Sequence, residues 1–392
     1  MGQPAVSAVL VHHRGTENLQ DALAALAPPL AGLSVEVLVV DNTAGGSLEG
    51  ALSRWPAVRR VPASGNSGFA AGCRLGAEAA RAPVLLFVND DAAVEPDAPA
   101  LLAAALEQAP ADVVAVAGRL TDWTGRKNDF SDGFLTFDGH AFAADVGLPV
   151  DRLPDAAPGE ERLFACGGLM AVRRSEFLDS GFDEDYFAYL EDVDFGWRQW
   201  IFGRRILAEP RAVARHRGGA TGEALGIFAR GFLFEKNAFA TVYKNLDEQN
   251  FRALMPAVLA AFLGRIAEML ATRNPRAGEL ERDPYREGAA GSALRRLFGI
   301  VEAPPPVILD DPLTIAHSRA LLWIRRHEAD LAGKRALVQA RRRRPDREIF
   351  EKFPLRIVPT YPGDERFDSD FFRAFLAGAP PLRGASLAEI FR

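Results

Sequence analysis

The chain has 392 residues, of which 48% are hydrophobic and 25% charged, a balance that excludes a disordered chain and suits a main globular domain with a smaller one. Its formal net charge of −6 argues against a general nucleic-acid-binding surface. Two cysteines, Cys73 and Cys166, exclude a metal cluster built of cysteine alone and a disulfide-stapled secreted scaffold, and both read as reduced packing residues.

The N-terminus enters an apolar strand pattern without a basic segment, hydrophobic stretch and cleavage site, so the expectation is a cytoplasmic protein with no secretory signal. From Ala5 to about Ala115, short apolar runs alternate with helix-forming segments. VSAVLVHH, VEVLVVDN and APVLLFVNDD are continuously apolar and end in polar residues, as strands buried on both faces do. ENLQDALAALA and AAGCRLGAEAARA between them have helical composition, so the order predicts a βαβ series with a parallel sheet. Ligands of such sheets bind beyond the carboxyl ends of the strands, which places His12, His13, Asp41, Asn42, Asn89, Asp90 and Asp91 at the binding edge.

Between the second and third of these strands, SGNSGFAAG (Ser64 to Gly72) combines glycines with Asn66. Such a loop can bring backbone amides close to a nucleotide, and a tight turn capping a helix explains the same residues. Neither a dinucleotide fingerprint after the first strand nor a lysine-bearing phosphate loop is present. In LLFVNDDAAV, Asn89 and Asp91 alternate along an extended strand end and can address one divalent cation; a polar turn is the alternative. Trp123 and DWTGRKNDFSDG read as a loop at the rim of a site, and ACGGLMAVRR as a glycine turn entering a strand.

FAYLEDVDFGWR (Phe187 to Arg198) sets Glu191, Asp192 and Asp194 among aromatics. A helix start with an exposed Asp194–Arg198 pair one turn on accounts for Asp194. It leaves Glu191 and Asp192 without a nearby partner, and apolar surroundings with a like charge beside them would raise their proton affinity. After about Thr221 the pattern is helical, in GIFARGFLFEKNAFATVYKNL, PAVLAAFLGRIAEML and LTIAHSRALLWIRRHEADLAGKRALVQARRRR, with EAPPPV as a break. LMPAVLAAFLG falls short of the roughly 20 residues that span a bilayer and reads as a buried helix. The run Arg341 to Arg344 reads as a solvated helix face or as a contact for anionic lipid.

Taken in order, VVDN, SGNSGFAAG, VNDD, CGGLMAVRRSEF, GFDEDYFAYLEDVDFGWR and ARHRGG resemble the family 2 inverting glycosyltransferases with the GT-A fold, especially bacterial rhamnosyl- and galactofuranosyltransferase-like members. The resemblance implies an α/β nucleotide-sugar-binding domain over residues 1–222, with a mostly parallel central sheet flanked by helices. A mainly helical region over 223–392 would follow, open to a role in acceptor, membrane or subunit contact. It implies that Asp41 and the loop with Gly65, Asn66 and Gly68 hold the nucleotide, with His12, Asn89 and Asp90 at the same edge. Asp91 and His216 would hold Mg2+ or Mn2+ on the diphosphate. Asp192 would be the general base, with Glu191 orienting acceptor or sugar beside it. The family's acidic metal triplet is Asn-Asp-Asp here, with Asn89 at its first position. The implied reaction moves a sugar from a UDP- or dTDP-sugar to a hydroxyl of a bacterial surface glycan or polyprenyl-linked precursor. The implied place is the cytoplasm or the inner face of the cell membrane, with no nucleic-acid partner. The asparagine keeps a second reading open: a catalytically inactive sugar-nucleotide-binding or scaffold protein.

Overall fold

The computed structural model describes residues 3–26, 33–43, 48–218, 220–274, 277–280 and 309–390. The three continuously apolar runs form strands β1 (Val6–His12), β2 (Val35–Asp41) and β4 (Val84–Val88), and Arg59–Pro62 forms β3. All four are parallel, with β1 between β2 and β4. The chain continues through β5 (Ala92–Val94), β6 (Val113–Asp122), β7 (Asn128–Phe130), the small hairpin β8 (Gly133–Leu135) and β9 (Ala141–Ala143), then β10 (Leu169–Arg173) and β11 (Arg205–His216). The sheet order is β3-β2-β1-β4-β10-β6-β11-β5, with β7 on β6.

One strand sets the position of the site. β10 runs antiparallel between β4 and β6, with Leu169 opposite Val88. The turn that feeds it, 166–168, therefore lies against the carboxyl end of β4, where Asn89 to Asp91 emerge. An all-parallel sheet would have put that turn at the opposite edge.

Helices α1 (Thr16–Leu26), α2 (Glu49–Leu52), α3 (Gly68–Ala79), α4 (Ala98–Gln108), α5 (Arg174–Ser180) and α6 (Glu191–Ile201) cover the sheet. α3 sits close because Gly72 and Gly76 lack side chains. A Cβ on Gly72 would lie 2.6 Å from Val11 Cγ1, and one on Gly76 2.3 Å from Val9 Cγ1. The glycines after Gly68 thus serve helix-to-strand packing, and the expected loop is already helix from Gly68 onward.

Helices α7 (Ala220–Asn245) and α8 (Glu248–Arg273) open the C-terminal region, with a break in α7 at Gly226 (φ 71°, ψ 165°). The expected boundary at 222/223 falls in the short segment of α7 before that break. LMPAVLAAFLG lies inside α8, a 26-residue helix long and apolar enough to cross a membrane, with mean hydropathy 1.6 over an 18-residue window. Half of that window is buried in the protein, and the buried residues include Arg265, which pairs with Asp138 and Asp364. This is the packing of a core helix. EAPPPV lies outside the described residues.

The run Arg341 to Arg344 is only partly a solvated face: Arg341 and Arg343 are exposed, Arg342 and Arg344 half-buried. The helix before it ends at Ala340, and three of the four residues, Arg341, Arg343 and Arg344, bond the α/β part. Arg344 donates to the carbonyls of Arg204 (2.8 Å) and Gly203 (3.0 Å), and the Arg343 amide to Ile201 (2.8 Å). Arg341 pairs with Asp179, and Arg342 with Asp346.

Candidate active site

The carboxyl ends of β1, β2 and β4 enclose a cavity of about 310 Å³. His13, Arg14, Asn18, Asn42, Asn66, Gly68 and Asn89 to Asp91 line it, with Phe69 and Phe187 as aromatic walls.

Asn42 builds the loop side. Buried at the end of β2, it accepts from the Ser67 amide (2.9 Å) and hydroxyl (3.0 Å) and donates to Asn66 Oδ1 and the Gly68 carbonyl, each at 3.1 Å. A buried amide satisfied on both sides fixes the loop, because leaving any of these groups unpaired would cost about 1–3 kcal/mol. Gly68 has φ +86°, and a Cβ there would lie 2.4 Å from the Phe187 carbonyl oxygen, so only glycine lets the loop meet that segment.

Asp91 and His216 form the acidic side. His216 Nε2 lies 3.0 Å from Asp91 Oδ1, and His216 Nδ1 lies 2.6 Å from Asp129 Oδ2. Burial opposes charge on this ring, but the two carboxylates outweigh it and raise the imidazole to about 10. The same geometry suits a cation. Asp129 behind Nδ1 favours the tautomer that leaves the Nε2 lone pair for a metal, the usual support of a metal-binding histidine. Two donors 3.0 Å apart match adjacent vertices of an octahedral shell with bonds of about 2.1 Å. Among the described residues no three His, Cys, Asp or Glu side chains converge as a cage. The residues fit an ion such as Mg2+ or Mn2+ whose remaining ligands are water and phosphate.

Asp192 stands on the other side of the 166–168 turn. Its Oδ2 accepts from the Gly167 amide (3.0 Å), its Oδ1 from the Val193 amide (2.8 Å), and the Asn89 amide donates to the Gly168 carbonyl (3.2 Å). One turn thus links the carboxylate to the cation side. Burial raises the Asp192 carboxyl despite the amides that favour its anion; the residue is half-buried and, like Glu191, is not among those lining the cavity. Glu191 is 5% exposed, its Oε2 has no hydrogen-bond partner, and burial with Asp192 beside it pushes its carboxyl up to about 8.

The backbone leading into this pair is strained. Three of the four non-glycine residues with positive φ among the described residues are Phe187 (64°), Tyr189 (70°) and Leu190 (64°). Phe187 has ψ −63° and is spanned by a bond from the Ala188 amide to the Tyr186 carbonyl (2.7 Å), the rare positive-φ form of the γ-turn. Such conformations cost about 1–3 kcal/mol each and persist where the surroundings over-determine them.

Residues 7–179 match the model of glycosyl transferase family 2. The fold is accordingly that of the GT-A glycosyltransferases, with a helical C-terminal region added. Among solved structures, GalNAc-T7 with UDP, GalNAc and Mn2+ is similar at TM-score 0.50 and 18% identity over 66% of this chain. The chain spans about half of that protein, 52% of its length. A mannosyltransferase from Pyrobaculum calidifontis, PcManGT in complex with GDP-Man and Mn2+, gives TM-score 0.44 and 14% identity, covering 82% of this chain and 87% of that one. No curated protein matches by sequence.

The family 2 segment ends before Glu191, Asp192 and His216, so those residues are placed by geometry alone. The structure brings Asn66, Gly68, Asn89, Asp90 and Asp91 to one cavity. His12 is not among its walls. It is 1% exposed and bonds Asp90 Oδ2 at 2.7 Å, and His13 lines the cavity in its stead. Asp41 is also withdrawn: Thr43 takes Oδ1, Arg60 takes Oδ2, and these partners outweigh burial and lower its carboxyl. Gly65 is in the loop but not on the cavity wall. The Asp194–Arg198 pair, expected to be exposed, is buried, and Lys244 and Asn245 from α7 complete it. No motif in the sequence marks Arg14 or Asp129. Arg14 follows two histidines at a strand end and Asp129 sits in the rim segment, but only the fold places them against the site.

Proposed function

We propose that the protein is a metal-dependent inverting glycosyltransferase acting on a nucleoside-diphosphate sugar. The observation that carries this reading is the 166–168 turn with a half-buried carboxylate, Asp192, on one side and the Asp91–His216 pair beside the cavity on the other. His13, Arg14 and the Asn42-braced loop would receive the nucleotide and its phosphates, with Phe69 and Phe187 as apolar walls. A bound Mg2+ or Mn2+, held by Asp91 and His216, would neutralise charge on the departing diphosphate. Asp192 would take the proton of the acceptor hydroxyl, for which a carboxyl raised by burial is better suited than an ordinary one. Glu191, kept protonated near neutrality, would donate a hydrogen bond to sugar or acceptor.

The motif resemblance supports a UDP- or dTDP-sugar donor and a rhamnosyl- or galactofuranosyltransferase-like reaction. It also supports a glycan or polyprenyl-linked acceptor met in the cytoplasm at the membrane face. The test is release of nucleoside diphosphate from a panel of nucleotide sugars with and without Mn2+, beside Asp91→Ala. The expected result is Mn2+-dependent release in the wild type, with Mn2+-dependent UDP or dTDP binding lost in the variant by calorimetry. A binding or scaffold protein, the alternative that Asn89 keeps open, would bind nucleotide and release none.

A further inference from the structure

The turn 186–190 is held from outside the family 2 segment, by α7. Asn237, 1% exposed, turns the two hydrogens of Nδ2 toward three carbonyls, those of Tyr186 (3.0 Å), Ala188 (2.9 Å) and Tyr189 (2.7 Å), with one N–H shared between two of them. Lys236 fixes which end of the amide faces the turn. An ammonium has only hydrogens to give, and its Nζ lies 2.6 Å from Asn237 Oδ1, so the amide oxygen faces the lysine and the NH2 faces the carbonyls. Lys236 also donates to the Asp185 carbonyl and lies 4.7 Å from the centre of the Trp323 ring. Phe234, one turn earlier on α7, stacks on Tyr189 with ring centres 4.6 Å apart. The left-handed Leu190 that ends the turn is the N-cap of α6, whose first two residues are Glu191 and Asp192. Relaxation of the turn would therefore move both carboxyls relative to the cavity, whose wall includes Phe187 and Ala188.

We propose that Asn237 is a positioning residue for the transfer reaction. From the C-terminal helical region it holds the turn in its strained form and so sets where Asp192 stands, while Lys236 sets the orientation of the amide. The inference rests on the glycosyltransferase reading. It assigns α7 a part in turnover that stability alone does not describe.

The test uses the full chain, with UDP-glucose, UDP-galactose, UDP-N-acetylglucosamine, dTDP-rhamnose and GDP-mannose as donors, Mn2+, and water as acceptor. In Asn237→Asp, an oxygen replaces the NH2 and faces three carbonyls. Because misplacement of a reacting group by a fraction of an ångström to an ångström is costly, kcat should fall about tenfold or more. KM for the donor should change less than kcat, because Asn42 braces the nucleotide loop separately, and the pH–rate profile should shift. Lys236→Met should move kcat and the profile the same way by less, and it decides the matter if Asn237→Asp does not fold. Wild-type kcat and pH profile in either folded variant, whatever its Tm, would overturn the proposal, as would a loss confined to KM. An inactive wild type would overturn the glycosyltransferase reading and this inference with it. An active wild type with unaffected variants overturns this inference alone.

Discussion

Three acidic residues within four positions have three different environments, and each gives a different expected outcome. Asp192 is half-buried and bonded only to amides, so Asp192→Asn should keep the fold while nucleoside diphosphate release falls about 100-fold or more. Asp194 is fully buried against Arg198 and Lys244, and its removal leaves two buried cations short of a partner. Asp194→Asn should therefore cost about 3–5 kcal/mol in denaturant unfolding, far more than an exposed helix pair would. Near-normal turnover in Asp192→Asn, or unchanged stability in Asp194→Asn, would reject these assignments. Glu191 gives a pH signature. Its carboxyl is raised from 4.5 to about 8, so between those values the folded state holds a proton that the unfolded chain has released. Stability from this group is thus full below about 4.5 and is lost as pH rises toward 8. Glu191→Gln removes the titration, so its Tm should gain on the wild type between about pH 5 and pH 9 without ligand. A constant Tm difference across that range would refute the assignment.

What the sequence made legible at the level of elements follows from burial. β1, β2 and β4 are buried on both faces and carry unbroken apolar runs, so their pattern survives without an alignment. β3 alternates half-buried and exposed residues at the sheet edge, and β5 and β7 are three residues long, so none offers a run to recognise. Within the site, Asn89 to Asp91 were legible because polar residues ending an apolar run mark the ligand edge. His12 was misplaced because adjacent strand residues face opposite sides, and pattern alone could not tell which of two histidines turns toward the cavity. The exposure of Asp194 was misjudged because its cover comes from α7, some fifty positions on. Gly68 shows the same contact between distant elements. With φ +86° and a virtual Cβ 2.4 Å from the Phe187 oxygen, Gly68→Ala forces either the start of α3 or the 187–190 segment to move. It should lower Tm and weaken Mn2+-dependent UDP binding about tenfold or more, and an unchanged calorimetric Kd would show that the two segments are not coupled.

On the scale of the molecule, the question is whether the α/β part stands without the helical part. Trp197 and Trp200 on α6 are covered by Phe350 and Phe353, with ring centres 5.5 and 5.0 Å apart. Asp183 is paired with Lys244 and Lys334, and Asp194 with Lys244, so two carboxylates of the first part depend on ammonium groups of the second. Arg344 adds bonds to the backbone carbonyls of Arg204 and Gly203, which keep their strength when salt screens charge better than exposed ion pairs do. A chain cut after residue 222 would expose large aromatics and strand those carboxylates in apolar surroundings. The expected product is a collapsed, dye-binding species without near-UV circular dichroism, unable to bind UDP with Mn2+. Replacing Arg342 and Arg344 with glutamine in the full chain should lower Tm while leaving liposome association at low salt as it was, since these two side chains are half-buried and bonded to the protein. A 1–222 fragment that melts cooperatively at the wild-type Tm, or a glutamine variant that loses vesicles but not stability, would mean that the helical region is an appendage and not part of the core.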